Sequence, residues 1–414
     1  MPSPNSRRDC QTWRYRDFVQ GMTEPFTDNS PDHVSGTYAN LIEAAQRIVA
    51  DEGLVRLSLR NLAEEAGVST ATVTHHLGAK NEIVPKLIGA AMDEDAAFFA
   101  PWRELSSQLT VRSGVLAARA YSDWFDAARG RMVLLGEILQ SRDPDPVAIA
   151  ALREWIALHE TAWNEIGGAN RGYVISRMLV DEATFSGALG ASTGYVLLRD
   201  LGFARLFRRD VAQAFRPVRD VLAPSLSLVA SPPELDGVRS RIAEAAPIIV
   251  AEEGAGRLNH RHVGERAGVA ASSVVYHFGG RDELLLAALT AVLSRFRHWV
   301  QGAAAASADG GFDEPAEVLR ITERLVRATH AIGLGAMRHN SLLPHAADMR
   351  RRRGENVRAD HIAGLGEAGR PHADPLFCQV LSVASFGARM LAMALGEDQE
   401  AAYARVASDL TRLV

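Results

Sequence analysis

Two short stretches of this chain carry side chains that could hydrogen-bond to the edges of base pairs. The first, STATVTHHLGAK (Ser69–Lys80), offers Ser69, Thr70, Thr72, Thr74 and His75 ahead of Lys80. The second, AASSVVYHFGGR (Ala270–Arg281), offers Ser272, Ser273 and Tyr276 ahead of Arg281. Hydroxyls both donate and accept, so they serve several bases, and a threonine methyl can meet the thymine methyl. Lys80 and Arg281 are cations suited to a phosphate. A plainer reading of Ser69 and Thr70 stands beside this one: they cap the N-terminus of a helix. His76 and His277 fit the packed end of a helix. His75 and His76 point apart on a helix, so they make no metal site.

A second constellation is aromatic. Trp155, His159 and Trp163 follow one another at a spacing of four, on one helical face, and Trp124 lies in the same stretch of chain. Such a stripe can line a pocket for an apolar or aromatic small molecule, or it can be core. In the second half Phe296, Trp299, His330, Met337 and His339 are the candidates for such a pocket. The run Arg350–Arg353 reads as a solvated helix face, with a site for an anion or a lipid headgroup as the alternative. No Ser/His/Asp ordering with a nucleophile elbow, no metal-ligand spacing and no phosphate-cradling glycine loop after a strand is present. The expectation is therefore no enzyme, no cofactor and no metal.

The elements that must position these residues occur twice. LIEAAQRIVADEG (Leu41–Gly53) returns as IAEAAPIIVAEEG (Ile242–Gly254), NLAEEAGVS (Asn61–Ser69) as HVGERAGVA (His262–Ala270), and HHLGAKNE (His75–Glu82) as YHFGGRDE (Tyr276–Glu283). The offset is 201 throughout, without a gap. This is a duplicated domain, too long a period for a solenoid. In each copy apolar residues at helical spacing run to Gly53 or Gly254. Ser58 or Asn259 then caps a short helix that ends at Gly67 or Gly268. Another short helix follows, and then a long one from Lys80 to Phe99, closed by Pro101, or from Arg281. The helix–turn–helix so formed is the geometry that presents a helix to the major groove.

LAEEAGVSTATVTHHLGAKNEI and VGERAGVAASSVVYHFGGRDEL resemble the DNA-binding unit of the TetR family of transcriptional repressors. The resemblance covers about 37–99 and 238–301. The sequence departs from the family pattern at Thr74 and Val275, where the family has a phosphate-binding tyrosine, and at Leu77, where it has phenylalanine. The resemblance implies a helical body behind each unit that binds a small-molecule inducer. It also implies a four-helix interface made by the last two helices of each partner. Here both partners would lie in one chain, a pseudo-dimer. The same offset aligns Ala183 with Ala384 and Phe185 with Phe386 on two helices lined with small residues.

The remaining stretches, 112–140, 147–166, 172–190 and 194–222, then 316–336, 344–366, 375–395 and 398–413, read as helices, and none alternates at period two. The fold class is all-α. The expected organisation is a disordered arm over 1–35, in which Trp13, Tyr15 and Phe18 interleave with arginines, then a first DNA-binding domain over 36–99 and a first body over 100–230. A linker over 231–237, a second DNA-binding domain over 238–301 and a second body over 302–414 follow, with QGAAAASADGGFDEP (301–315) as a loop. The net charge is −5. Between Thr37 and Ala100 nine acidic residues face five basic ones, whereas 238–301 holds eight arginines against six acids. Cys10 and Cys378 match no metal or redox spacing, no apolar run of membrane length stands out, and no signal peptide is evident. The expected setting is the cytoplasm. The expected partners are a double-stranded DNA operator and an apolar or aromatic inducer, with the chain a monomer or a dimer of pseudo-dimers. The rival reading is a small-molecule or protein-binding module of the same fold that has lost DNA binding.

Overall fold

The computed structural model describes residues 32–109, 113–141, 145–208, 210–222, 237–306, 315–354 and 374–413. Residues 1–31 of the expected arm, with its aromatic residues, lie outside them, as do linker residues 231–236 and the 355–366 part of the helix expected over 344–366. Among the described residues there are eighteen α-helices and no strand.

The first half opens with α1 (Asp32–Glu52), α2 (Leu59–Ala66) and α3 (Thr70–Leu77). Leu41, Ala44, Ala45, Ile48 and Val49 form the buried stripe of α1, against which Leu62, Val73 and Leu77 pack. The long α4 (Lys80–Ser107) follows. Behind it come α5 (Gly114–Ala127), α6 (Arg129–Gln140), α7 (Pro146–Gly167), α8 (Gly172–Leu189), α9 (Thr193–Ala204) and α10 (Phe215–Leu222). The second half repeats the opening as α11 (Gly237–Glu253), α12 (His260–Ala267), α13 (Ala271–Phe278) and α14 (Arg281–Ala306). Its body holds α15 (Pro315–Gly335), α16 (Leu343–Arg351), α17 (Pro375–Leu395) and α18 (Gln399–Leu413).

Several expectations are corrected. Pro101 does not close α4, which continues to Ser107. The turn beyond the proline is held by tertiary contacts: Trp102 and Ser106 are buried, and the Ser106 hydroxyl donates to the Glu165 carbonyl on α7 at 3.0 Å. The first residues of the expected 301–315 loop are helical, because α14 runs through the alanines to Ala306, and alanine is the best helix former. The helix α17 is long and apolar enough to cross a membrane, the one such helix among the described residues, and most of it is buried inside the protein.

That burial is the seam between the halves. The helix α17 lies along α8, with α9 against α17 and α18 against α8 on either side. The helices α8 and α9 of the first half and α17 and α18 of the second therefore form a four-helix seam. A methyl group on Gly387 would sit 1.9 Å from the Arg177 carbonyl oxygen, so only glycine permits this approach. Ala183, Ala384 and Ala388 are buried in the seam, while Gly190 and Ala191, at the frayed end of α8, are exposed. One apolar core joins the first half to α17 and α18. The other joins α11–α16 to Phe185 and Leu189 from the end of α8.

The arginine run is not a solvated face. Arg350 and Arg353 are buried and cross to α8. Arg350 makes a two-pronged contact with the buried Glu182 carboxylate, which also accepts from the Tyr195 hydroxyl at 2.9 Å. Arg353 donates to Asp181 at 2.8 Å, and His330 Nε2 meets the same carboxylate at 2.7 Å. The run packs inward because two carboxylates buried in an apolar helix require cations.

Candidate nucleic-acid interface

In each opening unit the caps fix the angle between two short helices. Ser58 accepts from the Asn61 N–H at 3.1 Å and Asn259 from the His262 N–H at 3.0 Å, so both start the first helix of the motif. Gly67 and Gly268 end it in the left-handed region, with φ of 68° and 65°. The N–H groups of Val68 and Val269 return to the carbonyls of Ala63 and Gly264, each at 2.9 Å. Val73 and Leu77, or Val274 and Phe278, then bury one side of the second helix. Its other side is left facing water.

That outer side carries Thr70, Ala71, Thr74 and His75 on α3, and Ala271, Ser272, Val275 and Tyr276 on α13, at matching positions. Tyr276 is 85 % exposed, the most exposed large hydrophobic residue among the described residues. Thr72 and Ser273 are half-buried. Ser69 caps α3: its hydroxyl accepts from the Thr72 N–H at 3.0 Å and lies 2.9 Å from the Thr72 hydroxyl. The Thr74 hydroxyl donates to the Thr70 carbonyl at 3.0 Å. Ser69, Thr72 and Thr74 thus spend hydroxyl capacity on their own helix. In the second copy Ala270 starts α13 without a side-chain cap.

Lys80 and Arg281 begin α4 and α14 and are both exposed. They are not alike. Arg281, although part of its side chain reaches solvent, lines a cleft between the two units with Arg338 and Glu137, and desolvation in that cleft, then the repulsion of Arg338, lowers its pKa. Several other cations are tied to acids: Arg47 to Glu65 and Arg56 to Glu52 in the first unit, Arg261 to Glu265 and Arg266 to Glu252 in the second.

The family model for bacterial regulatory proteins of the tetR family matches this chain twice, over residues 41–87 and 242–288. The chain belongs to the TetR family. It is a DNA-binding transcriptional regulator with two tandem TetR-type units, and the two matches are again 201 residues apart. No curated protein matches it.

Behind the first TetR-type unit, α4 carries a carboxylate that sequence reading passed over. Asp95 is fully buried and accepts from Trp124 Nε1 at 2.8 Å, Arg131 Nε at 2.8 Å and Trp155 Nε1 at 2.7 Å, with His159 Nε2 at 2.9 Å. Burial alone would raise its pKa, but His159, Arg131 and Trp155 together bring it down to about 2. The signal was available: Asp95 falls on the same α4 stripe as Ile88, Ala91, Phe99 and Trp102. Of the aromatic residues read from sequence, Trp124, Trp155 and His159 thus meet at one carboxylate. Trp163 packs beside them, its ring 5.2 Å from that of Phe99, which also lies 5.2 Å from His159. The four are core side chains in this conformation. Three buried polar atoms in the cluster, Tyr121 Oη, His159 Nδ1 and Trp163 Nε1, have no hydrogen-bond partner among the described residues.

The second body has no such cluster among the residues named for it. His330 pairs with Asp181, Met337 lies over Gly187, and His339 lines the cleft between the units. The side chains of Phe296 and Trp299 lie outside what is described.

Between the two TetR-type units the halves meet at equivalent residues. A methyl group on Gly256 would lie 3.7 Å from Val55 Cβ, and these positions differ by the repeat offset. Arg338 donates to the Val49 and Ala50 carbonyls at the end of α1, at 2.7 and 3.1 Å, and pairs with Glu137 at 2.7 Å. Glu137 in turn accepts from the Leu54 N–H at 3.1 Å. The first unit is therefore clamped by both bodies.

Proposed function

We propose that this regulator is a one-chain repressor that reads both halves of its operator and is released by a small-molecule inducer. The observation that carries the reading is the pair of outward faces, Thr70, Ala71, Thr74 and His75 against Ala271, Ser272, Val275 and Tyr276, on two units joined in one frame. Homodimers place two identical helices in successive major grooves about 34 Å apart; here one chain supplies both. His75 and Tyr276 would make the principal base contacts. Thr70 and Ser272 would support them, with Ser69, Thr72, Thr74 and Ser273 shaping the helix starts. Lys80 and Arg281 would hold phosphate.

The inducer of this reading is apolar or aromatic with a hydrogen-bond acceptor. It would enter the first body beside Trp124, Trp155, His159 and Trp163. The three unpartnered buried polar atoms support a polar group there. Asp95 ties that cluster to α4, and α4 begins at the DNA-binding unit. A ligand that shifted Asp95's donors would tilt α4, and a shift of a few ångströms breaks the match to successive grooves. The chain would act in the cytoplasm, where the operator lies.

The acidic first unit, with Arg47 and Arg56 already paired, favours the rival reading of a binding module without DNA. Selection from a random duplex library, followed by anisotropy titration, separates the two. An enriched duplex with two spaced half-sites supports repression by DNA binding. Recovery of no sequence, with only weak salt-sensitive association, would leave the module.

A further inference from the structure

The seam between the halves is chemically lopsided. Asp181 and Glu182 are adjacent on α8 and wholly buried, and His330, Arg350 and Arg353, all from the second half, answer them. At the same spacing α17 carries Ser382 and Val383. Two first halves paired through this face would bury two copies of Asp181 and Glu182 with Arg129 in the place of His330 but without Arg350 and Arg353. Two second halves would bury Arg350 and Arg353 against Ser382 and Val383. Breaking a buried pair by removing one partner is strongly destabilising, because a charge is left uncompensated.

The axis repeats the pattern in charge and in shape. Glu137 and Arg338 are one repeat offset apart and 2.7 Å from each other. Pairing of like halves would set glutamate against glutamate, or arginine against arginine. Met132 and Gly136 on α6 become Gly333 and Met337 in the second half, so large and small residues are exchanged. Met337 fills the space over Gly187, Leu334 that over Gly136, and Gly333 lies against the Thr184 carbonyl.

We propose that this face accepts only the opposite half, so that each assembled unit presents one of each DNA-binding helix. Like-half pairing between two chains is excluded by unpaired buried charge and by clashing or missing bulk. Nothing in this depends on DNA binding, and the test reads stability alone.

Thermal unfolding of full-length variants provides the test. Arg338→Gln and Arg338→Glu both lose the bonds to Val49 and Ala50, but only the second faces Glu137 with a like charge. Arg338→Glu is expected to melt about 2–4 °C below Arg338→Gln, and adding Glu137→Gln is expected to close that gap. Arg350→Met is expected to lower the melting temperature further, and Glu182→Gln added to it to recover at least half of the loss. Should Arg350→Met fail to fold, recovery of a cooperative transition in the double variant gives the same support. Equal melting of Arg338→Glu and Arg338→Gln, or no recovery from either second substitution, would overturn the proposal.

Discussion

The first body holds Asp95 at the meeting point of two indoles, an arginine and a histidine, while position 296, one repeat offset on, is phenylalanine. The two DNA-binding units, by contrast, keep a side-chain cap on their first short helix, the same left-handed glycines and the same buried positions on their second helices. Duplication has therefore left the mechanics of the motif alike in both copies and let the chemistry diverge. Parts that set an angle are interchangeable between halves. Parts that touch a ligand, a base or the other half are not.

The sharpest way to break that contrast is to remove Asp95. In Asp95→Ala the Arg131 guanidinium and the two indole N–H groups lose a buried acceptor. Loss of one partner of a buried charge network costs about 3–5 kcal/mol. Urea unfolding should show a loss of that size, together with disturbed coupling between body and first unit. A loss below about 1 kcal/mol would make Asp95 a bystander and the two bodies equivalent in construction. The pH dependence has a fixed sign. The folded pKa of Asp95, about 2, lies below the ordinary 3.8, so its contribution is present above about pH 4 and fades as pH falls toward 2. At about 1.4 kcal/mol per unit the contribution is about 2 kcal/mol. Asp95→Asn should flatten the stability profile in that acid window, with its loss of stability largest near neutrality and smallest near pH 2.

The reading faces come next. Tyr276→Ala should weaken or relax one half of the operator, and His75→Ala the other, each by about 1–3 kcal/mol per lost base contact. A base-by-base substitution scan of the operator with both variants measures this. A perfect palindrome damaged equally in both halves would mean that the two helices read alike and that two chains bind as an ordinary dimer.

The mechanical residues should behave as a matched pair. Gly67→Ala and Gly268→Ala each force a side chain into the left-handed region, at about 1–2 kcal/mol. Neither glycine has a neighbour within reach of an added methyl, so strain alone sets the cost. Unfolding of the two variants should agree within about 0.5 kcal/mol. A wide difference would show that the two motifs do not share one geometry.

These contrasts also mark what the sequence could reveal. The helix–turn–helix was legible twice because its signals are local: a capping Ser58 or Asn259, then Gly67 or Gly268, then a buried residue every three or four. The helices 147–166 and 375–395 were legible for the same reason. The fate of Arg350–Arg353 was not, because four arginines in a row look solvated until the carboxylates of Asp181 and Glu182, far away in sequence, are brought beside them. The end of α4 was misplaced because a proline's local cost was outweighed by the burial of Trp102 and Ser106. Asp95 was overlooked within an acidic run, although it sits on the buried stripe. The aromatic stripe was correctly seen as one face, but spacing alone does not separate a pocket wall from a packed core.

The smallest expected effect separates two residues that spacing makes equivalent. Lys80 and Arg281 both open the long helix of their half, and both are cations able to meet phosphate. Lys80 is exposed at the first turn of α4. Arg281 borders the cleft where Arg338 and Glu137 meet, and burial and the nearby Arg338 disfavour its charge there. A cation already engaged in a protein cleft releases less counterion from DNA than one that is fully hydrated beforehand. Lys80→Ala should therefore reduce the slope of log K against log salt by about one, uniformly across operator sequences. Arg281→Ala should reduce it by less, and should instead loosen the cleft between the units. Anisotropy titrations from low to moderate salt, run on both variants and on a shuffled duplex, measure the two slopes. Equal reductions would show that Arg281 swings out to the backbone on binding, and the electrostatic contrast between the two halves would then vanish at the DNA.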